Sequence, residues 1–185
     1  MQEPKISVIC TTFNRWHRLK KAIKSVQDQT FEDWELIVVD DASTDKTPKV
    51  VEKLMKKDSR IRYIRRKENW GCHSRPKNDG ILVSRADLIA YIDDDNIWLK
   101  DHLQALYNVL RNRPDLQMVY GDRWLIDESG RLPKDIAFAS DWHPAILQVK
   151  NYIDTGDVLM RKEVLYKLGG WEEKIKKFAD WNLWV

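Results

Sequence analysis

Over the first two thirds of the chain, short apolar runs alternate with longer stretches whose apolar residues recur at helical spacing. Ile6-Ser7-Val8-Ile9-Cys10 reads as a strand buried on both faces. Arg15 to Gln29 then places Leu19, Ala22, Ile23 and Val26 on one helical face, with Asn14 in position to cap it. Trp34 to Asp40, enclosing Leu36-Ile37-Val38-Val39, is a second strand, and Thr44 to Lys57 a helix with a Val50, Val51, Leu54, Met55 stripe. Ile61 to Ile64 predicts a third strand, Pro76 to Ser84 a short helix and Leu88 to Ile92 a fourth strand. Leu99 to Arg111 is helical through Leu103, Leu106, Tyr107 and Leu110, and Met118-Val119-Tyr120 is a fifth strand. No internal repeat interrupts this order.

Strand and helix in alternation predict an α/β fold, a doubly wound and mostly parallel sheet covered on both faces. Ligands of such sheets collect beyond the carboxyl ends of the strands. That rule points to Thr11 to Asn14, to Asp40-Asp41 and to Asp93-Asp94-Asp95. After Tyr120 the rhythm changes. Trp124 to Asp127, a Glu128-Ser129-Gly130 turn and a run to Ala139 suggest a hairpin. Val158-Leu159-Met160 suggests a further strand, followed by a helix from Lys162 to Leu168 that Gly169-Gly170 would stop. The expected division is residues 1–121 as an α/β half and residues 122–185 as a smaller mixed half of one continuous domain. The last residues, Trp184-Val185, fall inside a new amphipathic segment, as though the chain were cut short there.

Composition narrows the class. At 185 residues, 43% hydrophobic and 33% charged, the chain can build its own core. Its longest apolar run, Leu88 to Ile92, is too short to cross a bilayer, and Met1-Gln2-Glu3-Pro4-Lys5 lacks the regions of a signal peptide. Disorder, secretion and a membrane span are disfavoured, and cytoplasmic residence is expected. Lysine plus arginine number 32 against 29 acids, a net +3 too weak to predict a nucleic-acid partner. Cys10 and Cys72 cannot frame a disulfide scaffold, and His17, His73, His102 and His143 are too scattered for a zinc site. Nine tryptophans are many, and core or edge packing is the ordinary use for them.

Candidate chemistry lies in the acids. Three aspartates at the end of a buried strand repel one another by roughly several kcal/mol at an effective dielectric near 20, so something positive should compensate them. A hard cation with oxygen ligands is a natural choice, since Mg²⁺ commonly takes one or two carboxylates plus substrate phosphates. The alternative is that one of Asp93, Asp94 and Asp95 caps the next helix. An EF-hand is excluded, because its glycine place is Trp98 and its final glutamate place Gln104. For Asp40-Asp41 two readings stand side by side. One is a turn with Ser43 or Thr44 as helix cap; the other is a carboxylate accepting an N–H from a ligand base.

Several segments, in order, resemble family 2 glycosyltransferases of the GT-A fold. Pro4 to Arg15 is similar to the opening strand and loop of that family, and Ser25 to Asp45 to its second strand and acidic turn. Asn69-Trp70-Gly71 with Lys77-Asn78-Asp79-Gly80-Ile81 resembles the third motif, with one extra residue between its halves. Tyr91 to Trp98 resembles the Asp-any-Asp (DXD) motif. Asp94-Asp95-Asn96-Ile97 followed by Asp101 is especially similar to the spore-coat polysaccharide glycosyltransferase of the family. Phe178-Ala179-Asp180-Trp181 resembles the acceptor-side acidic motif, with Ala179 where glutamate is common.

The resemblance implies a Rossmann-like GT-A sheet and an inverting transfer from a nucleoside-diphosphate sugar, with UDP the leading carrier. Thr11 and Phe13 would line the base pocket, Asp41 would hydrogen-bond the base, and Asp93 and Asp94 would lie near ribose and metal. Asp95 would be the principal ligand of Mn²⁺ or Mg²⁺. Arg75 or Lys77 would meet the diphosphate, each having a solvated helix start as its ordinary alternative. Asp180 would be the general base, with helix N-cap as its alternative. The acceptor would be a glycan or polysaccharide precursor, lipid-linked acceptors included, which would bring the protein to a membrane surface as a peripheral partner. Such chemistry suits these residue types: a divalent ion stabilises the leaving diphosphate, and a carboxylate relieves an acceptor hydroxyl of its proton. Gly156, in Asp154-Thr155-Gly156-Asp157, would serve a turn or a close approach to a sugar.

Three other classes compete. A phospho-acceptor receiver domain would carry its acidic pair after the first strand, whereas here the pair follows the second. A nucleotidyltransferase would need a glycine-rich basic loop after strand one. A nucleotide-binding module without turnover fits the same motifs as the transferase.

Overall fold

In the computed structural model, residues 3–127, 131, 137–138 and 141–185 are described. The first two apolar runs become β1 (Ile6–Thr12) and β2 (Trp34–Asp40), in which every residue is buried. Side chains alternate between two cores: Ile6, Val8 and Cys10 face one, Ile9 the other, and Leu36 and Val38 face away from Ile37 and Val39. Each such side chain taken from water contributes about 1.5–3 kcal/mol, which is why both faces of the sheet must be covered. The coverings are α1 (Trp16–Gln27), α2 (Thr47–Met55) and α4 (His102–Asn112) on one face. On the other lie α3 (Ser74–Val83), the short α5 (Pro144–Leu147), α6 (Lys162–Leu168) and α7 (Ala179–Trp184).

The remaining strands are β3 (Ile61–Arg65), β4 (Leu88–Tyr91), β5 (Met118–Tyr120), β6 (Arg123–Trp124), β7 (Ala137–Phe138) and β8 (Val158–Arg161). The main sheet runs β3-β2-β1-β4-β8-β5. Its first four strands are parallel, and β8 enters antiparallel between β4 and β5. This is a mostly parallel, doubly wound GT-A sheet. β8 comes from the second half of the chain, so both halves share one sheet. Strands β6 and β7 pair apart from it, Arg123 opposite Phe138 and Trp124 opposite Ala137. The expected hairpin turn at Glu128-Ser129-Gly130 lies outside the described residues.

Several local expectations are corrected. Asn14 does not cap α1, whose N-cap is Arg15 without a side-chain bond. Asn14 instead takes a left-handed φ of 55° and accepts from the backbone N–H of Thr44 and Asp45 at 2.8 and 3.2 Å. Its own N–H donates to Ser43 Oγ at 2.9 Å, so the loops after β1 and β2 are stitched together. Neither Ser43 nor Thr44 caps α2, which starts at Thr47, where Asp45 accepts the backbone N–H at 2.8 Å. α4 begins at His102, not Leu99, with Asp101 at its N-cap, so none of Asp93, Asp94 and Asp95 caps it. Gly156 sits in a 3-10 turn (Thr155–Asp157), its N–H donating to Asp154 Oδ1 at 3.0 Å, and a Cβ there would fall 2.1 Å from Asn96 Oδ1. The group nearest that position is the Asn96 side chain, which would have to shift for any larger residue. Gly169, at φ 80°, ends α6 as the sequence predicts.

Candidate active site

The register of the parallel strands brings three chain segments to one mouth. Thr12 ends β1 opposite Asp40 at the end of β2, and β4 leads directly into Asp93, Asp94 and Asp95. Asp40 is fully buried and accepts from the Ser43 N–H at 2.8 Å and from the Tyr63 hydroxyl, so it braces the turn. Burial and this carboxylate push the Tyr63 phenol well up. Asp41, also buried, accepts from Trp70 N and Asn69 Nδ2, each at 2.9 Å, and pairs with Arg66 Nε at 2.9 Å. Thr11 is buried with its Oγ1 3.4 Å from His73 Nδ1, while Phe13 stands 41% exposed beside the mouth.

The three aspartates have separate environments. Asp94 is buried; Thr12 Oγ1 donates to it at 2.7 Å and Arg15 Nη1 at 3.2 Å. Burial raises its pKa, against the lowering pull of Thr12 and Arg15. Asp95, with a side chain 41% exposed, has Arg15 at 3.3 Å and Arg18 at 3.6 Å. Asp93 lies 3.7 Å from Lys77 Nζ. Positive compensation of the cluster therefore comes in part from Arg15, Arg18 and Lys77. The start of α1 signalled the first two only as ordinary basic residues of an amphipathic helix. Among the described residues, no group of three or more His, Cys, Asp or Glu side chains forms a metal cage.

The two diphosphate candidates diverge. Lys77 is only 4% exposed, which corrects the reading of it as a solvated helix start, and its ammonium lies 4.4 Å from the Trp171 ring centroid. Arg75 stacks 4.3 Å over Trp70 and pairs at 3.8 Å with Glu173. Asp180 is not an N-cap. Phe178 holds that place at φ 59°, and the Asp180 carboxylate, in the first turn of α7, accepts from Asn151 Nδ2 at 2.9 Å.

Lys77, Asp93 and Asp180 line one cleft of about 180 Å³, together with His73, Asp154, Thr155 and Trp171. Thr11 reaches it through His73. Phe13, Asp41, Arg75, Asp94 and Asp95 do not line it. A larger hollow of about 420 Å³ between the ends of α6 and α7 holds none of the predicted site residues. Trp171, Asn151 and Asp154 were not legible as site residues, because each is brought in by a loop far along the chain.

Residues 7–168 match the family described as Glycosyl transferase family 2. The chain belongs to that family. Similar proteins include the GalNAc(5)-diNAcBac-PP-undecaprenol beta-1,3-glucosyltransferase of Campylobacter jejuni, 38% identical over 134 residues, covering 72% of this chain and 42% of that one. Protein CgeD of Bacillus subtilis is 28% identical over 96% of this chain and 43% of its own length. Among solved structures, S. aureus TarS 1-349 in complex with UDP superposes with a TM-score of 0.78 at 20% identity, over 97% of this chain and 53% of that chain. The mannosyltransferase PcManGT from Pyrobaculum calidifontis, in complex with GDP-Man and Mn2+, gives 0.72 at 17% identity, over 97% and 51%. The chain thus spans about half the length of these structures and less of the two relatives.

Proposed function

We propose that this family 2 chain transfers a sugar from a nucleoside diphosphate, UDP first, to a hydroxyl of a glycan or polysaccharide precursor with inversion. One observation carries the reading: a cation, Lys77, and two carboxylates, Asp93 and Asp180, face one cleft at the carboxyl mouth of the sheet. Asp180 accepts the proton of the acceptor hydroxyl as its oxygen bonds to the anomeric carbon. The bond from that carbon to the diphosphate breaks, its electron pair passes to the departing phosphate oxygen, and the Lys77 ammonium faces the charge that develops. Attack opposite the leaving group inverts the centre. Thr11, Phe13 and Asp41 form the base side. Lys77, being buried and inside the cleft, suits the diphosphate better than Arg75, which is engaged by Trp70 and Glu173.

The residues fit a divalent ion. Asp95 is a hard oxygen donor with an exposed edge and only long contacts to Arg15 and Arg18, and one or two carboxylates suffice when phosphates complete the shell. Asp95 would hold it, with Asp93 and Asp94 near ribose and metal. Bound Mn²⁺ or Mg²⁺ would supply Lewis-acid stabilisation of the diphosphate. A lipid-linked acceptor is supported by the undecaprenol-linked substrate in the Campylobacter relative's name. A spore-coat type of polysaccharide is the finer reading carried by Asp94 to Ile97 with Asp101. Among the described residues no helix is long and apolar enough to cross a membrane. Meeting such an acceptor would be a peripheral contact, proposed on the cytoplasmic side.

Thermal shift with UDP, GDP and UDP-sugars, each with and without Mn²⁺, tests the reading. Metal-dependent stabilisation, largest for uridine forms and lost in Asp95→Ala, is expected. An equal response without metal removes the ion from the site. Nucleotide binding with neither sugar transfer nor donor hydrolysis would leave a binding module.

A further inference from the structure

Lys77 leans on an aromatic wall that the donor chemistry does not by itself require. Its Nζ lies 4.4 Å from the Trp171 ring centroid and 5.7 Å from that of Tyr91. The two rings meet edge to face, centroids 5.3 Å apart at 86°, and Trp171 Nε1 donates to the Tyr91 hydroxyl at 3.0 Å. Both rings are buried, so the wall is fixed independently of the lysine. Its backbone is fixed too: Trp171 N donates to Asn78 Oδ1 at 2.8 Å, and Asn78 Nδ2 returns a bond to Trp171 O at 2.9 Å. Gly170, at φ 80°, permits that pairing, since a Cβ there would meet Asn78 Oδ1 at 2.7 Å. Trp171 also meets Trp184 of α7, the helix bearing Asp180, with ring centroids 5.9 Å apart.

We infer that Trp171 is a positioning residue for the donor: its indole face holds the Lys77 ammonium at the Asp93 edge of the cleft, pre-aimed at a diphosphate. The inference rests on the proposed donor site. A lysine free to sample its rotamers would lose that freedom on gripping the ligand, whereas one seated on an indole face has already lost it. The Asp93 contact, at 3.7 Å, is long enough to be exchanged for a phosphate oxygen. Because Trp171 lies between α6 and α7, the same residue joins the donor grip to the helix that carries the proposed base.

Isothermal titration of UDP, with Mn²⁺ present, and ligand-observed NMR of uridine separate this role from a structural one. Trp171→Leu should weaken UDP about tenfold, and Trp171→Phe, which keeps a smaller face, about two- to threefold. Uridine, lacking phosphates, should bind all variants alike. In a Lys77→Met background, Trp171→Leu should cost nothing further. Should the leucine variant fail to fold, the phenylalanine variant and its cycle with Lys77→Met carry the test. Equal losses for UDP and uridine, or an undiminished effect of Trp171 without Lys77, would overturn the inference. If GDP binds in place of UDP, GDP and guanosine form the pair. A wild-type protein that binds a diphosphate but transfers no sugar removes the transferase reading and leaves this test intact; one that binds neither diphosphate overturns both.

Discussion

Thr12 Oγ1 donates to Asp94 Oδ2 at 2.7 Å, tying the last residue of β1 to the acidic segment that follows β4. The bond explains how a buried carboxylate is tolerated at the mouth, with Arg15 as its second partner. Burial holds the Asp94 pKa above its ordinary value. The folded state therefore binds the proton more tightly than the unfolded chain, and stability is lost as pH rises through the carboxylate range. Thr12→Val removes a donor from the charged form. Expected is a loss of about 1–3 kcal/mol at pH 7, shrinking towards pH 3. Urea melts at the two pH values check it, and a pH-independent loss would mean that packing alone was disturbed.

Asp157 is a sharper case. Burial, with Asp154 and Asp122 nearby, raises its pKa to about 6 against the pull of Arg123 at 3.0 Å. The same sign applies: its contribution is intact below about pH 4 and lost as pH rises through 6. Asp157→Asn should gain up to about 3 kcal/mol relative to wild type between pH 4 and pH 7. Calorimetry across that window reads it, and a constant difference would show that Arg123 fully compensates the charge.

Gly80 packs α3 directly on β1, where a Cβ would stand 2.7 Å from Ile9 Cγ2. Ile9 is fully buried and has little room to turn. Gly80→Ala should cost about 1–3 kcal/mol by overpacking, despite alanine's better helix propensity. A stabilised variant in chemical denaturation would show that the sheet yields at this point.

Asp180 is held by Asn151 rather than by a helix cap. Asp180→Asn should keep donor affinity in calorimetry while transfer falls by at least about a hundredfold, the scale of general-base catalysis. Asn151→Ala should change kcat more than the donor KM, since Asn151 donates to the proposed base and does not line the cleft. Unchanged turnover in Asp180→Asn would remove Asp180 from its role.

The apolar periodicity of the chain determined the strands, the helices and the doubly wound sheet, because burial on both faces leaves a pattern that neighbours along the chain share. The acids at strand ends were legible too, since topology sends every such end to one mouth. Only the tertiary structure decided which basic groups answer them: Arg15 and Arg18 reach Asp95 from another element, and Lys77 turns inward on Trp171 instead of outward to water. Asn14, a cap by local rule, is recruited by the next loop for the same reason. Hydrogen-bond and charge partners lie dozens of residues away, and their choice follows from distances in space that no local spacing encodes.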